Sequence, residues 1–110
     1  MSIIFNGVSF SEPESLAFWT PPFKAGLYAI LIPSPNISPK PFEVIYFGES
    51  GNMSERGFAS HHRRACWLRQ AGNEANLYIA VYLMPNSSEQ ERKQIEAALI
   101  AKYNPQCNRT

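Results

Sequence analysis

Residues 33–41, PSPNISPKP, place four prolines in nine positions, and nothing else in this sequence constrains the fold as strongly. Proline has no amide hydrogen to give a sheet ladder and holds φ fixed, so the segment cannot be strand and is stiff. It is flanked by two runs rich in β-branched and aromatic residues, AGLYAILIP at 25–33 and FEVIYFG at 42–48. Two strands forming a hairpin with a long, stiff loop are therefore expected.

Beyond Gly48 the text becomes polar, and helix-like sequence runs from about 54 to 70 with Gly72 at its end. NLYIAVYLMP at 76–85 is nearly continuous apolar and predicts a strand buried on both faces or central in its sheet. Ser87 and Ser88, with Gln90 and Glu91 three residues on, have the form of a capping box, and the helix they open runs to about Tyr103 before Pro105. Residues 1–24 hold IIFNGVSF and LAFWTPPF, broken by Pro13, Pro21 and Pro22. They predict an extended lead-in packed on the core, with an edge strand and a short helical turn at 13–18. The order is lead-in, β, β, α, β, α, which predicts an α+β fold: a small three-stranded antiparallel sheet flanked by helices. At 110 residues and 45% hydrophobic content this is one domain with one core.

Composition removes several chemistries. All nine acidic residues are glutamates, so aspartate pairs and Ser-His-Asp arrangements are excluded. The two histidines, His61 and His62, are adjacent, and the two cysteines, Cys66 and Cys107, lack the paired spacing of structural zinc. With no secretory leader and no apolar run of about 18 residues, the cysteines are expected as free thiols in a reducing, cytoplasmic setting, with no membrane partner. A formal charge of +1 is neutral about nucleic acid.

Two helix faces stand out. On the last helix Ile95, Ala98, Leu99, Ile100 and Tyr103 share a face, and Glu96 falls inside it. A carboxylate there needs a cation, hydrogen bonds or a metal, and Arg92, one turn earlier, is the ordinary candidate. On the first helix, if regular, Arg56, Ser60, Arg63, Arg64 and Trp67 share a face, a basic stripe with one aromatic that suits a phosphate backbone.

Taken in order, GLY at 26–28, YFG at 46–48, Asn52, Arg56 and IEAALIAKYNPQCN at 95–108 resemble the GIY-YIG nuclease family. YFGESGNMSER is similar to that family's Y-I-G-x-S-x-N-L-x-x-R, and residues 96–108 to its E-x-x-L-I-x-x-Y-x-P-x-x-N ending. The resemblance covers residues 25–108. It implies a metal-dependent endonuclease that hydrolyses phosphodiester bonds with water, DNA ahead of RNA. Tyr28 would take a proton from the attacking water and Tyr46 would position water or phosphate. Arg56 would meet the scissile phosphate, and Glu96 would hold Mg²⁺ or Mn²⁺. Asn108 would brace the site. Gly48, Ser50, Arg63 and Arg64 would contact substrate.

Three features depart from the family pattern. Ser60 stands where a His or Tyr is usual, with His61 and His62 just after it; Gly57 could delay the helix and bring His61 or His62 round. The hairpin loop is long, and Glu49 follows YFG. Specificity would have to come from loop 33–41, from residues 1–24, or from a protein partner or homodimer. The rival readings are a non-catalytic nucleic-acid-binding module and a plain interaction domain.

Overall fold

The computed structural model describes residues 2–34 and 41–109, so most of the proline-rich loop lies outside the described residues. Strands β1 (Ile3–Phe5) and β2 (Val8–Phe10) form a hairpin of their own. Strands β3 (Glu14–Ser15), β4 (Gly26–Pro33), β5 (Phe42–Ser50) and β6 (Tyr78–Leu83) form one sheet in the order β3-β6-β4-β5, every neighbour antiparallel. Helices α1 (Arg64–Ala71) and α2 (Glu89–Tyr103) complete an α+β fold. The expected three-stranded sheet is thus corrected to four strands plus a separate hairpin. The extra strand is the two-residue β3, an edge strand supplied by the lead-in, and the expected short helical turn follows it as a 3-10 turn at Leu16–Phe18.

The sheet is covered on both faces. Tyr28, Ile30, Ile45 and Tyr46 pack with Trp67 of α1 on one side, and Leu27, Ala29, Leu31 and Phe47 with Leu99 of α2 on the other. Alternation along a strand would send Ile45 and Tyr46 to opposite faces. A bulge prevents this: Ile30 pairs with Tyr46 while Leu31 pairs with Val44, so Ile45 is the extra residue and both side chains turn toward α1.

Glycine is required at two places because space is missing there. A Cβ on Gly48 would lie 2.7 Å from Cε2 of Tyr28 and overlap that ring's Cζ and hydroxyl; one on Gly26 would lie 2.9 Å from the Met53 methyl and overlap the Tyr82 carbonyl. Gly48→Ala is therefore expected to destabilise the fold by roughly 3 kcal/mol, the upper end for overpacking. Urea unfolding measures this, and a loss under about 1 kcal/mol would mean that the Tyr28 ring has another place to go.

The first helix is shorter than expected. In place of a helix over 54–70 there are single 3-10 turns at Met53–Glu55 and Phe58–Ser60, then α1. Gly57 breaks the run with a left-handed φ of 71°. The single basic face expected from Arg56 through Trp67 therefore does not exist, and Trp67 is fully buried. On α2, the capping box forms between Ser88 and Glu91, and left-handed Asn104 closes the helix before Pro105.

The cysteines are also corrected. Cys66 on α1 and Cys107 in the 3-10 turn Gln106–Asn108 form a disulfide, their Cα atoms 5.7 Å apart. The expected pair of free thiols is thereby overturned. No helix among the described residues is long and apolar enough to cross a membrane.

Candidate functional site

The bulge in β5 and the break at Gly57 bring a cluster together beside α1. Tyr28 and Tyr46 stand on neighbouring strands with ring centroids 6.1 Å apart. His61, freed from helix by the break, lies beneath them, its Nε2 2.8 Å from the Tyr28 hydroxyl. Trp67, Tyr46 and Phe58 wall the imidazole, which is 4% exposed. Trp19 of the lead-in packs edge-on against Phe58, which packs edge-on against Tyr28, so residues 1–24 buttress the cluster.

Three donors meet the His61 ring. The Arg63 amide donates to Nδ1 at 3.0 Å, while Arg56 Nη2 at 2.9 Å and the Tyr28 hydroxyl both face Nε2. A neutral imidazole has one lone pair and one N–H, and guanidinium only donates. The backbone amide cannot turn away, so we assign the lone pair to Nδ1 and the proton to Nε2, where it is donated to Tyr28. Arg56 is then the partner that moves. Its Nη2 also lies 3.4 Å from His62 Nδ1, and no carboxylate among the described residues pairs with it.

These surroundings set the protonation states. Burial, with Arg56, His62 and Arg63 adding positive charge, pushes His61 down to about 3. Burial and the neighbouring Tyr46 push Tyr28 well above the ordinary tyrosine value, against the pull of Arg56. Tyr46 is raised by burial and by Glu96, with Arg56 and Arg63 opposing. Tyr28 therefore stays protonated as a donor, which weakens the expectation that it accepts a proton from water.

His61 carries a stability consequence. Its folded value lies below the unfolded value near 6.5, so the unfolded chain binds the extra proton in between and stability falls as pH drops from about 6.5 toward 3. The urea midpoint is expected to fall between about pH 7 and pH 4, and to fall less in His61→Gln. An equal decline in both proteins would refute the neutral buried ring.

Glu96 is half-buried on α2, and burial raises its pKa, with Lys93 opposing and Glu49 reinforcing. Its field reaches both Tyr28 and Tyr46. Arg92 does not pair with it: Arg92 Nε donates to Glu49 at 2.8 Å and Lys93 lies 3.6 Å from the other Glu49 oxygen. No hydrogen bond or ion pair reaches the Glu96 carboxylate among the described residues. The same pairing removes Glu49 as a charge competing with a bound anion.

The remaining expected residues divide. Asn108 grips the β5 backbone next to Tyr46, accepting from Phe47 N at 2.8 Å and donating to Phe47 O at 3.0 Å. Ser50 accepts from Asn52 N, and Asn52 accepts from the Ser54 amide and hydroxyl. These bonds build the turn that delivers Arg56. Gly48 is covered by the Tyr28 ring. Arg63 stays near the cluster and donates to the Arg109 carbonyl at 3.3 Å; Arg64 pairs with Glu74 and is engaged elsewhere.

The site residues that sequence reasoning missed are the packing ones, Phe58 and Trp19, whose positions depend on the broken helix. Among the described residues no three His, Cys, Asp or Glu side chains are grouped to enclose a metal. A single half-buried carboxylate whose field reaches two tyrosines instead fits an ion that keeps most of its water, as Mg²⁺ does, and does not fit zinc. A scan against family models and searches of curated proteins and of solved structures return no match to this chain.

Proposed function

We propose that the chain is a metal-dependent endonuclease of the GIY-YIG type, acting on nucleic acid, DNA ahead of RNA. One observation carries this reading. Among the described residues Arg56 is a half-buried cation without a carboxylate and Glu96 a half-buried carboxylate without a cation, and both act on the same pair of tyrosines without pairing with each other. Unpaired charges out of water cost several kcal/mol, and a phosphate bound together with a divalent cation would satisfy both.

In this reading Arg56 leaves His61 for the scissile phosphate and offsets the charge that grows on its oxygens. Tyr28, oriented by the His61 N–H, donates to the attacking water or to a phosphate oxygen, and Tyr46 holds the other side. Water adds to phosphorus and the bond to the 3′-oxygen breaks, leaving a 5′-phosphate and a 3′-hydroxyl. Glu96 would hold Mg²⁺ or Mn²⁺, which polarises a phosphoryl oxygen and acidifies bound water. Asn108 keeps the Tyr46 segment of β5 in place.

The alternative, a non-catalytic nucleic-acid-binding module, draws on the protonation states: neither Tyr28 nor His61 is poised near neutral pH to take a proton. Single- and double-stranded DNA and RNA, incubated with and without Mg²⁺, separate the two. Cleavage that requires Mg²⁺ is expected. Salt-sensitive binding without cleavage in Mg²⁺ or Mn²⁺ would establish the module instead.

A further inference from the structure

We infer that a second pocket, at the sheet end where β4 begins and β5 ends, binds one unpaired nucleotide of a single strand. The inference rests on the nucleic-acid reading of the site above and names the substrate class. The pocket holds about 440 Å³ and is lined by Phe23, Lys24, Gly51, Asn52, Asn86 and Ser87, among others. Its walls are pinned by backbone bonds: Met53 N to Lys24 O at 3.0 Å, Ser54 N to Pro22 O at 3.0 Å and Met84 N to Ala25 O at 2.8 Å. The first two tie the lead-in to the turn that delivers Arg56.

The lining has the parts a nucleotide needs. Phe23 leaves 83% of its surface in solvent, a large cost for an aromatic side chain and a ready platform for a base. Lys24 supplies a positive charge for phosphate, and no carboxylate lines the pocket. The carboxamides of Asn52 and Asn86 offer donors and acceptors for a base edge. Behind Ser87 stands Arg92, 7% exposed, with Nε on Glu49 and Nη1 on the Ser87 carbonyl and hydroxyl. Its Nη2 has no hydrogen-bond partner among the described residues and comes up under Gly51, 3.3 Å from where a Cβ would stand. A side chain at 51 would crowd that donor, and glycine leaves room beside it.

Lys24 is four residues from Tyr28 along the chain, so their Cα atoms are within about 14 Å of each other. A strand that presents its phosphate to Arg56 can therefore place a neighbouring base on Phe23, which a paired, stacked base could not do. Substrates with an unpaired nucleotide beside the cut are favoured over continuous duplex.

The test uses fluorescently labelled oligothymidylate and a blunt duplex of equal length, bound by wild type, Phe23→Leu and Lys24→Gln with EDTA present. Because Phe23 is exposed, leucine keeps the fold, which circular dichroism checks. Phe23→Leu is expected to weaken strand binding about tenfold and leave duplex binding unchanged. Lys24→Gln is expected to reduce the salt dependence of strand binding by about one ion. Unchanged strand affinity in Phe23→Leu, equal losses on strand and duplex, or no strand binding by wild type would each overturn the pocket. Selective loss in Phe23→Leu from a protein that never cleaves would support the pocket and defeat the nuclease reading. Cleavage by wild type with a silent Phe23→Leu would do the opposite.

Discussion

Glu96→Gln is expected to abolish Mg²⁺-dependent cleavage, by about 10³-fold or more, and to raise the melting temperature by a few degrees in the same protein. The first effect follows from removing a carboxylate whose field reaches both tyrosines of a site that also holds Arg56. The second follows from the direction of its shift. Burial raises the Glu96 pKa, so its ionised form opposes folding at neutral pH, and that cost disappears only as pH falls through the raised value. Glutamine keeps the shape and drops the charge. With water screening a half-exposed group, the gain is on the order of 1 kcal/mol. A carboxylate holding the fold together would behave oppositely, and a lowered melting temperature would mean that Glu96 has a structural partner. Cleavage that continues undiminished would remove the enzyme reading.

That pairing of gain and loss depends on a division of labour between neighbouring charges on α2. Arg92 is committed to Glu49 and Ser87, and Lys93 adds to the same carboxylate. Glu96, one helical turn on, takes no hydrogen bond or ion pair from that network among the described residues. From sequence spacing alone, Arg92 and Glu96 form a good helix pair. What defeats it is a contact 43 residues away in sequence, which no local pattern reveals.

The legible parts of this chain were those encoded locally. The strands at 26–33, 42–50 and 78–83, the capping box at Ser88 and Glu91, and the stop before Pro105 all follow from short-range pattern. One short-range signal was missed. Asn6 and Gly7 take φ of 51° and 78°, the two-residue turn that joins strands in register, and IIF and VSF on either side make the β1-β2 hairpin. The prolines that follow disguised it as lead-in. The bulge at Ile45 was hidden because apolar residues occupy both faces of β5, so a slip of one position leaves no mark in the sequence. The break at Gly57 was foreshadowed by the glycine, and it is what brings His61 to Tyr28.

Breaking the Cys66–Cys107 bond is expected to cost about 4 kcal/mol, a fall in melting temperature on the order of 15 °C. The bond closes a loop spanning a sequence separation of 41, and the unfolded chain gains the corresponding freedom when it is cut. The loss would not be spread evenly. Cys107 is fully buried, and its neighbour Asn108 holds both backbone groups of Phe47, next to Tyr46. The C-terminal turn is therefore tied to α1 by the disulfide and to β5 by the amide, so loosening one tie relaxes the other and cleavage should fall with stability. The Cys66→Ser, Cys107→Ser double variant tests the stability term in urea, and wild type in excess reductant provides the matching measurement without substitution. Asn108→Ala separates the two ties: it loses two hydrogen bonds, about 1 kcal/mol each, while keeping the cross-link. If the double variant and the reduced wild type both unfold at the same urea concentration as the oxidised protein, the cysteines do not join α1 to the C-terminal turn in solution. Asn108 would still hold that turn to the strand that carries Tyr46.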